Sequence, residues 1–365
     1  MESTYRTQAD PLSHRYQGMS LLRRFLTSKR HYAFGASLFL LGNCGGTGCL
    51  PILPATGGTP GPAVIGAGGF AIPASATGSG TLDVVANRYG IQRPSNDGTG
   101  NFRTVCRYSH MNYDDSIVFP GQPGKAHMHT YFGNTGSNAG STSASLFTSG
   151  TSTCDGGIAN RSSYWVPSVI DASSTPVIPT YNMIYYKSGY QGVSPESISA
   201  TLPVGLRIIA GTATATAPQP DYFEWECANV SGRQASIPSC PAGSILKATI
   251  EFPQCWDGVN LDSPDHKSHM AYGSYEVGCP PSHPVPIPAI TYNIDYPVGP
   301  SGSAGWRLAS DMYSGGPGGY SLHGDLITAW DPAVSSQWLS NCTRANADCT
   351  VSNISDSQSL AGQSG

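Results

Sequence analysis

Three short segments of the chain place histidine close to a second histidine or to a carboxylate. The first contains a His-x-His pair, His127 and His129, within residues 124–134. On a β-strand, residues i and i+2 face the same side, so both imidazoles can reach one metal ion or one substrate. We therefore predict that His127 and His129 belong to one site. The alternative is a hydrogen-bonded pair in the core.

The other two segments combine imidazoles with carboxylates. One contains Asp265 and His269 around a proline-containing turn, and the other contains His323 and Asp325. A histidine beside a carboxylate is the unit from which both general-base pairs and metal-supporting pairs are built. We predict these four residues as catalytic, together with the His-x-His pair. The competing interpretation is that Asp265 caps a turn and that the last segment is structural.

A metal ion would explain the histidines. Three neutral imidazoles and one open position suit zinc or copper, and the predicted ligands are His127, His129 and His269. Without a metal, the same residues could perform acid–base hydrolysis or elimination. The sequence contains no Gly-x-Ser-x-Gly or His-Glu-x-x-His motif. A serine hydrolase or a protease of those classes is therefore disfavoured.

Residues around these motifs are candidates for contacting a substrate. Aromatic rings offer flat apolar faces on which sugar rings can stack, and amide or cationic side chains can bind sugar substituents. The predicted substrate-binding residues are Lys125, Tyr131, Asn134, Arg207, Trp256, Lys267, Tyr272 and Trp330. For the aromatic members, the alternative is a place in the core.

The elements that must position these residues are mostly strands. Only 12% of the chain is charged, and it has 44 glycines and 29 prolines, which argues against coiled coils and helical repeats. Short apolar runs with strand character lie at 116–119, 183–186, 206–209, 245–252 and 289–294. We predict a mainly β protein, a single antiparallel sandwich or barrel-like domain with long disulfide-tied loops. One short helix is expected at 332–339.

Eight cysteines follow Cys44 and Cys49, and an even number in an exported chain favours four disulfides. Pairing of neighbours, chosen on loop-closure grounds alone, gives Cys106–Cys154, Cys227–Cys240, Cys255–Cys279 and Cys342–Cys349. A zinc–thiolate site is the rival, but the chain has no Cys-x-x-Cys pair.

The ends of the chain differ in composition from its middle. Residues 1–44 are predicted to be a signal peptide, because a basic stretch precedes ten mostly apolar residues at 33–42, too few to span a bilayer. Cys44 raises the alternative of a lipid anchor, although Asn43 stands where a small residue is expected. We expect residues 45–90 to form a Gly/Pro/Ala-rich linker, residues 91–345 the all-β domain and residues 346–365 a flexible tail.

Charge narrows the range of partners. Outside residues 1–48 the chain has 13 basic and 21 acidic residues, so it lacks the basic surface of nucleic-acid-binding proteins. We expect no nucleic-acid partner, no membrane contact except through an N-terminal anchor, and a monomer.

Four segments occur together, in this order, in one known family. They are Ser-Tyr-Trp-Val-Pro at 163–167, Met-Ile-Tyr-Tyr at 183–186, the run 203–211 and the long run 255–269. On these motifs the chain resembles the secreted domain-of-unknown-function family numbered nineteen ninety-six, which is abundant in fungi and often joined to wall-carbohydrate-binding modules. The resemblance covers about residues 101–338. It implies an extracellular, polysaccharide-rich setting and no defined reaction.

Two functional hypotheses follow. The first is a secreted or cell-surface protein that acts on extracellular polysaccharide or a cell-wall polymer through a histidine-rich, metal-binding site, as a hydrolase, a lyase or a metal-dependent oxidase. The second is a non-catalytic carbohydrate-binding or wall-structural protein. Metal titration and a screen for reducing ends released from wall glycans discriminate between them.

Overall fold

The computed structural model describes residues 64–65, 69–87, 90–228, 230 and 232–362. The predicted signal peptide and the first part of the predicted linker lie outside these residues. The strands, in chain order, are β1 (Val64–Ile65), β2 (Ala71–Ile72), β3 (Val84–Ala86), β4 (Asn101–Cys106), β5 (Tyr108–Asn112), β6 (His129–Gly133), β7 (Ser163–Pro167), β8 (Val169–Ile170), β9 (Tyr181–Lys187), β10 (Arg207–Gly211), β11 (Phe223–Cys227), β12 (Ile245–Glu251), β13 (Cys255–Trp256), β14 (Met270–Ala271), β15 (Val285–Pro286), β16 (Ala289–Pro297), β17 (Arg307–Leu308), β18 (His323–Ile327), β19 (Asp348–Val351) and β20 (Gln358–Leu360).

Helical structure in the described residues is short. It consists of α1 (Ser143–Thr148), α2 (Pro332–Trp338), a 3-10 turn at Pro195–Ser197 and a π-helical turn at Leu339–Thr343. Helix α2 confirms the helix predicted at 332–339. The Asp331 carboxylate caps it by accepting hydrogen bonds from the backbone N–H groups of Ala333 and Val334.

Two larger sheets form the body of the domain. One has five strands in the order β10-β18-β7-β6-β5, and the other has six in the order β11-β12-β16-β9-β4-β19. Every pairing in them is antiparallel except that of β19 with β4. The predicted β-sandwich-like fold is confirmed, and the described strands close no barrel.

The core lies between these two sheets. Alternate residues of each strand point inward, which is why Tyr164 of β7 meets Tyr292 of β16 with ring centroids 5.9 Å apart. The Tyr164 hydroxyl also lies 2.9 Å from the hydroxyl of Tyr186 in β9. These contacts satisfy buried polar groups inside an otherwise apolar core.

One of the apolar runs expected to be a strand is not one. The runs at 183–186, 206–209, 245–252 and 289–294 fall in or largely within β9, β10, β12 and β16, but residues 116–119 form a turn. The Asp115 carboxylate accepts hydrogen bonds from the backbone N–H groups of Ile117 and Val118, both at 2.8 Å. Such local side-chain bonds compete with strand pairing.

The ordered domain also extends past both predicted limits. Strands β1, β2 and β3 lie within 45–90, where a linker was expected, and β19 and β20 lie within 346–365, where a flexible tail was expected. Strand β20 pairs with β3, and β19 pairs with β4. These strands have two to four residues each, too few to show alternation, and β3, β19 and β20 are fixed by long-range pairing that local sequence does not signal.

The structure forms the four disulfides that neighbour pairing predicts, Cys106–Cys154, Cys227–Cys240, Cys255–Cys279 and Cys342–Cys349. Across the described ranges, none of the helices has the length and apolar character that spanning a bilayer requires.

Candidate metal centre beneath a cleft

The site is built on the outer face of the five-stranded sheet. Strands β6, β7 and β18 are neighbours there, and the register aligns Tyr131 with Trp165 and Trp165 with Asp325. Because side chains alternate along a strand, His129 shares the face of Tyr131, and His323 shares that of Asp325. The opposite face carries the core residues. Two distant segments of sequence are thereby brought to one surface.

His127 and His129 do meet, but not on one strand as predicted. Strand β6 begins at His129, and His127 lies two residues ahead of it. Their ring centroids are 4.2 Å apart. The His323 ring completes a triangle, 5.1 Å from His127 and 5.8 Å from His129. Three imidazoles from two segments of the chain therefore converge.

Backbone carbonyls fix the tautomers of two of these rings. His129 Nδ1 lies 2.9 Å from the carbonyl oxygen of Asp114, and His323 Nδ1 lies 2.8 Å from that of Ser321. A carbonyl can only accept, so each Nδ1 carries the proton and donates. In the neutral ring, the lone pair then sits on Nε2. This is the arrangement that orients histidines toward metals.

The groups that face the centre lack protein partners. The Nε2 atoms of His127 and His129 and the Oδ2 atom of Asp325 are buried, with no hydrogen-bond partner within the described residues. His323 Nε2 lies 3.9 Å from Asp325 Oδ2. Buried polar atoms are rarely left unsatisfied, so a cluster of them indicates a ligand.

Electrostatics keeps the imidazoles neutral. Burial lowers the pKa of His127, and the neighbouring rings of His129 and His323 lower it further. Burial, followed by the charge of His129, lowers the pKa of His323 to about 3. Burial also lowers the pKa of His129. All three rings are thus neutral near pH 7, as metal ligation requires.

The carboxylate beside them is shifted in the opposite direction. Burial, and then the nearby charge of Asp115, raises the pKa of Asp325 well above its usual value. Two carboxylates close together in a dry site resist simultaneous ionisation. A divalent cation would relieve that repulsion, and this is a second reason to place positive charge here.

The spacing of the donor atoms fits one ion. Ligand atoms of His127, His129 and His323 all lie within 4.8 Å of one another, and so do those of Asp115, His129 and Asp325. His129 belongs to both groups but has one free nitrogen, because its Nδ1 is committed to Asp114. The two groups therefore describe one centre with three nitrogen donors and carboxylates beside them. That donor set suits zinc or another first-row divalent ion.

A cleft of about 380 Å³ lies over the centre. His127, His323 and Asp325 line it, with His323 and Asp325 buried, while the exposed side chains of Lys267 and Met312 lie at its mouth. Three residues of the centre, His127, His323 and Asp325, therefore line the floor of the cleft, and His129 lies behind them.

The segment around Asp265 lines the same cleft but plays another part. The Asp265 carboxylate accepts hydrogen bonds from the backbone N–H groups of Lys267 and Ser268 and the hydroxyl of Ser268, and lies 2.7 Å from Ser263 Oγ. Bonds of this kind lower the pKa of Asp265. Its oxygen is occupied in shaping the loop, as the turn-capping interpretation expects.

His269, expected as the third metal ligand, is not part of the cluster. Its Nδ1 lies 2.9 Å from Ser263 Oγ, and its Nε2 lies 2.6 Å from the carbonyl oxygen of Arg207. The first contact lies within the loop and the second fastens the loop to β10, so both nitrogens are already used. His323 takes the position that was assigned to His269.

The aromatic residues expected to contact substrate are mostly structural. Tyr131 and Trp330 are buried, with Tyr131 stacked between His110 and Trp165. Trp256 donates its indole N–H to the carbonyl of Asn260. Tyr272 differs, because it lines a second cleft that adjoins the first.

The polar candidates divide in the same way. Asn134 is buried, and its amide group donates to the carbonyls of Leu146 and Ser149. Arg207 forms an ion pair with Asp262 at 3.7 Å. Lys125 is exposed and does not line the cleft. Lys267 alone of these lines the cleft.

The sequence reasoning missed Asp115 and its neighbour Asp114. Asp115 is a candidate ligand, and the carbonyl oxygen of Asp114 accepts bonds from His129 and from the Tyr131 hydroxyl at 2.7 Å. The available signal was the Asp-Asp pair itself in a chain poor in charge. The apolar residues at 116–119 that follow it are typical of a strand, and this pattern hides the turn that Asp115 caps.

Comparison with known proteins identifies the family. The family model described as "Domain of unknown function (DUF1996)" matches residues 115–330, which span the whole candidate site and more than half of the chain. No curated protein and no solved structure matches the chain. The chain belongs to the DUF1996 family.

Proposed function

We propose that this member of the DUF1996 family is an extracellular, metal-dependent enzyme that cleaves a cell-wall or other extracellular polysaccharide. The carrying observation is the convergence of three imidazoles beneath an open cleft, with two buried Nε2 atoms that have no hydrogen-bond partner within the described residues and two Nδ1 atoms held by carbonyls. A fold that needed these rings only for packing would satisfy those nitrogens.

The residues have separable parts in this proposal. His127, His129 and His323 would hold the ion through Nε2, and Asp115 and Asp325 would balance its charge. A bound zinc ion would acidify a water molecule and polarise the bond to be cleaved. Asp325 lines the cleft, and its Oδ2, which has no hydrogen-bond partner among the described residues, would accept a proton from a water molecule or a substrate hydroxyl at the centre.

The polysaccharide substrate rests on the setting that family resemblance implies. The four disulfides support an extracellular location, and we take the protein to be a monomer. The alternative is a non-catalytic carbohydrate-binding or wall-structural protein, and its carbohydrate-binding form needs aromatic rings that a sugar can reach. Burial of Tyr131 and Trp330 weakens that alternative.

Calorimetric titration of the chelator-treated full chain with zinc and with copper tests the metal site. We expect one ion per chain, with a dissociation constant in the micromolar range or tighter, and loss of binding in the double variant His127→Ala, His129→Ala. His283→Ala is the matched control, because within the described residues that ring hydrogen-bonds to the Ser282 hydroxyl and the Ser268 carbonyl and is not part of the cluster. Binding weaker than millimolar for both ions contradicts the proposal.

A reducing-end assay on wall glycans tests catalysis. Activity that chelator abolishes and zinc restores is the expected result. Glycan binding without bond cleavage, in protein that holds one ion per chain, would instead favour the non-catalytic alternative.

A further inference from the structure

A second cleft opens beside the one over the histidines. It has a volume of about 310 Å³, and its lining includes Tyr222 and Tyr272. Ile209, Gly211 and Lys267 line both clefts. The two are therefore neighbours along one surface, and Lys267 stands where they meet.

The second cleft contains a rigid aromatic pair. The rings of Tyr222 and Tyr272 are stacked, with centroids 4.2 Å apart and an angle of 4° between their planes. The Tyr272 hydroxyl donates to the carbonyl of Glu251 at 2.8 Å. Neither ring is fully buried. An aromatic surface already held in place loses little conformational entropy when a ring-shaped ligand packs on it.

Lys267 supplies the charge at the junction. Its ammonium group donates to the carbonyl of Gly211, and it forms no ion pair with a carboxylate in the part of the chain that the structure describes. An ammonium group has three N–H donors, so two remain for a ligand together with a full positive charge. Its side chain is exposed.

We propose that the Tyr222–Tyr272 cleft is a subsite for a sugar close to the glycosidic bond that is cleaved. We further propose that Lys267 selects a uronate, a sugar bearing a carboxylate, where the two clefts meet. This inference rests on the proposed function, because it assumes a glycan in the histidine cleft. The aromatic pair would stack on a pyranose ring, and the ammonium would bind the carboxylate through charge-assisted hydrogen bonds.

A binding panel tests the substrate class. The probes are polygalacturonate, alginate and glucuronan, a sulfated galactan, and the neutral glycans cellulose and β-1,3-glucan, each measured against the full chain. We expect at least one polyuronate to bind about tenfold more tightly than the neutral glycans. Equal or tighter binding of the neutral glycans overturns the proposal, and so does a preference for the sulfated galactan over every polyuronate.

Two variants test the residues. Lys267→Met should weaken binding of the preferred polyuronate about tenfold and leave neutral glycans unaffected, whereas Lys247→Met, in β12 of the six-stranded sheet, should change neither. Tyr222→Ala should weaken binding about threefold to tenfold for all glycans that bind, with the exposed Tyr275→Ala as control. Unchanged polyuronate affinity in Lys267→Met, in protein with wild-type melting behaviour, contradicts the assignment.

Failure of this subsite and failure of the proposed function give different results. Binding to the panel is measured with chelator present, so it does not require the metal. Polyuronate binding that depends on Lys267, in a protein that binds no ion, would retain the subsite and reject the metal-dependent enzyme. Metal-dependent cleavage of neutral glycans alone would retain the metal-dependent enzyme and reject the uronate subsite.

Discussion

Two regions of this protein both gather histidine and aspartate side chains, and they differ in how far those side chains are hydrogen-bonded to the rest of the protein. In the loop at 262–269, Asp265, His266 and His269 each bond to groups of the loop or of β10. Around β6 and β18, the ring atoms of His127 and His129 that face the centre have no protein partner within the described residues. Clustering of titratable residues is thus a weak signal by itself. Buried nitrogen and oxygen atoms without a hydrogen-bond partner among the described residues distinguish the candidate site from the hydrogen-bonded turn.

We expect the largest effect in zinc affinity, which should depend on the histidine cluster and not on the loop at 262–269. His323→Ala should weaken zinc binding more than about 100-fold, because even residues one step removed from a metal contribute 10- to 100-fold. His266→Ala should leave it within about threefold. Isothermal titration of both variants checks this. Similar losses in the two variants would show that the loop histidine contributes as much as the cluster does.

A second comparison concerns stability. His269→Ala should lower the free energy of unfolding by about 2 kcal/mol, because two hydrogen bonds of a buried side chain are lost. Chemical denaturation with chelator present measures it. The folded variant should still bind zinc with nearly the wild-type affinity. Loss of metal binding at native-like stability would place His269 at the centre after all.

The pH dependence of the metal-free protein gives a third comparison. Because the folded-state pKa of His323 is lowered to about 3, the unfolded chain binds a proton below about pH 6.5 that the folded chain refuses. Its contribution to stability therefore falls as pH drops below about 6.5, by about 1.4 kcal/mol per pH unit. His323→Gln should show a shallower decline between pH 6.5 and 4.

The variant is needed because Asp325 acts with the opposite sign. Its raised pKa stabilises the folded state at low pH, and that contribution is lost as pH rises above the unfolded value of about 3.9. The difference between wild type and His323→Gln isolates the histidine. Parallel curves for the two proteins would mean that His323 is protonated in the folded state.

The smallest expected effect lies in the loop. Ser263→Ala removes a hydroxyl that lies within hydrogen-bond distance of both Asp265 and His269. We expect a loss of about 1 kcal/mol in the free energy of unfolding and no change in metal affinity. Denaturation and titration of the same sample provide both values. An altered metal affinity would couple the loop to the centre.

The sequence predicted what depends on local periodicity and missed what depends on long-range order. The His127–His129 pair and the His323–Asp325 pair could be read from i, i+2 spacing. That these pairs meet depends on β18, β7 and β6 being neighbours in one sheet, which no local pattern encodes. His269 was therefore as plausible a third ligand as His323. Asp115 could not be predicted, because the apolar residues 116–119 after it have the pattern of a strand. They form a turn, which the Asp115 carboxylate stabilises by accepting two backbone hydrogen bonds.

X-ray absorption at the zinc edge, on zinc-loaded wild type and His323→Ala, tests the central claim most directly. It counts the imidazoles around the ion at about 2.0–2.1 Å. The account predicts three in the wild type and two, with much weaker binding, in the variant. An ion surrounded only by oxygen atoms, or a spectrum that the substitution leaves unchanged, would contradict it.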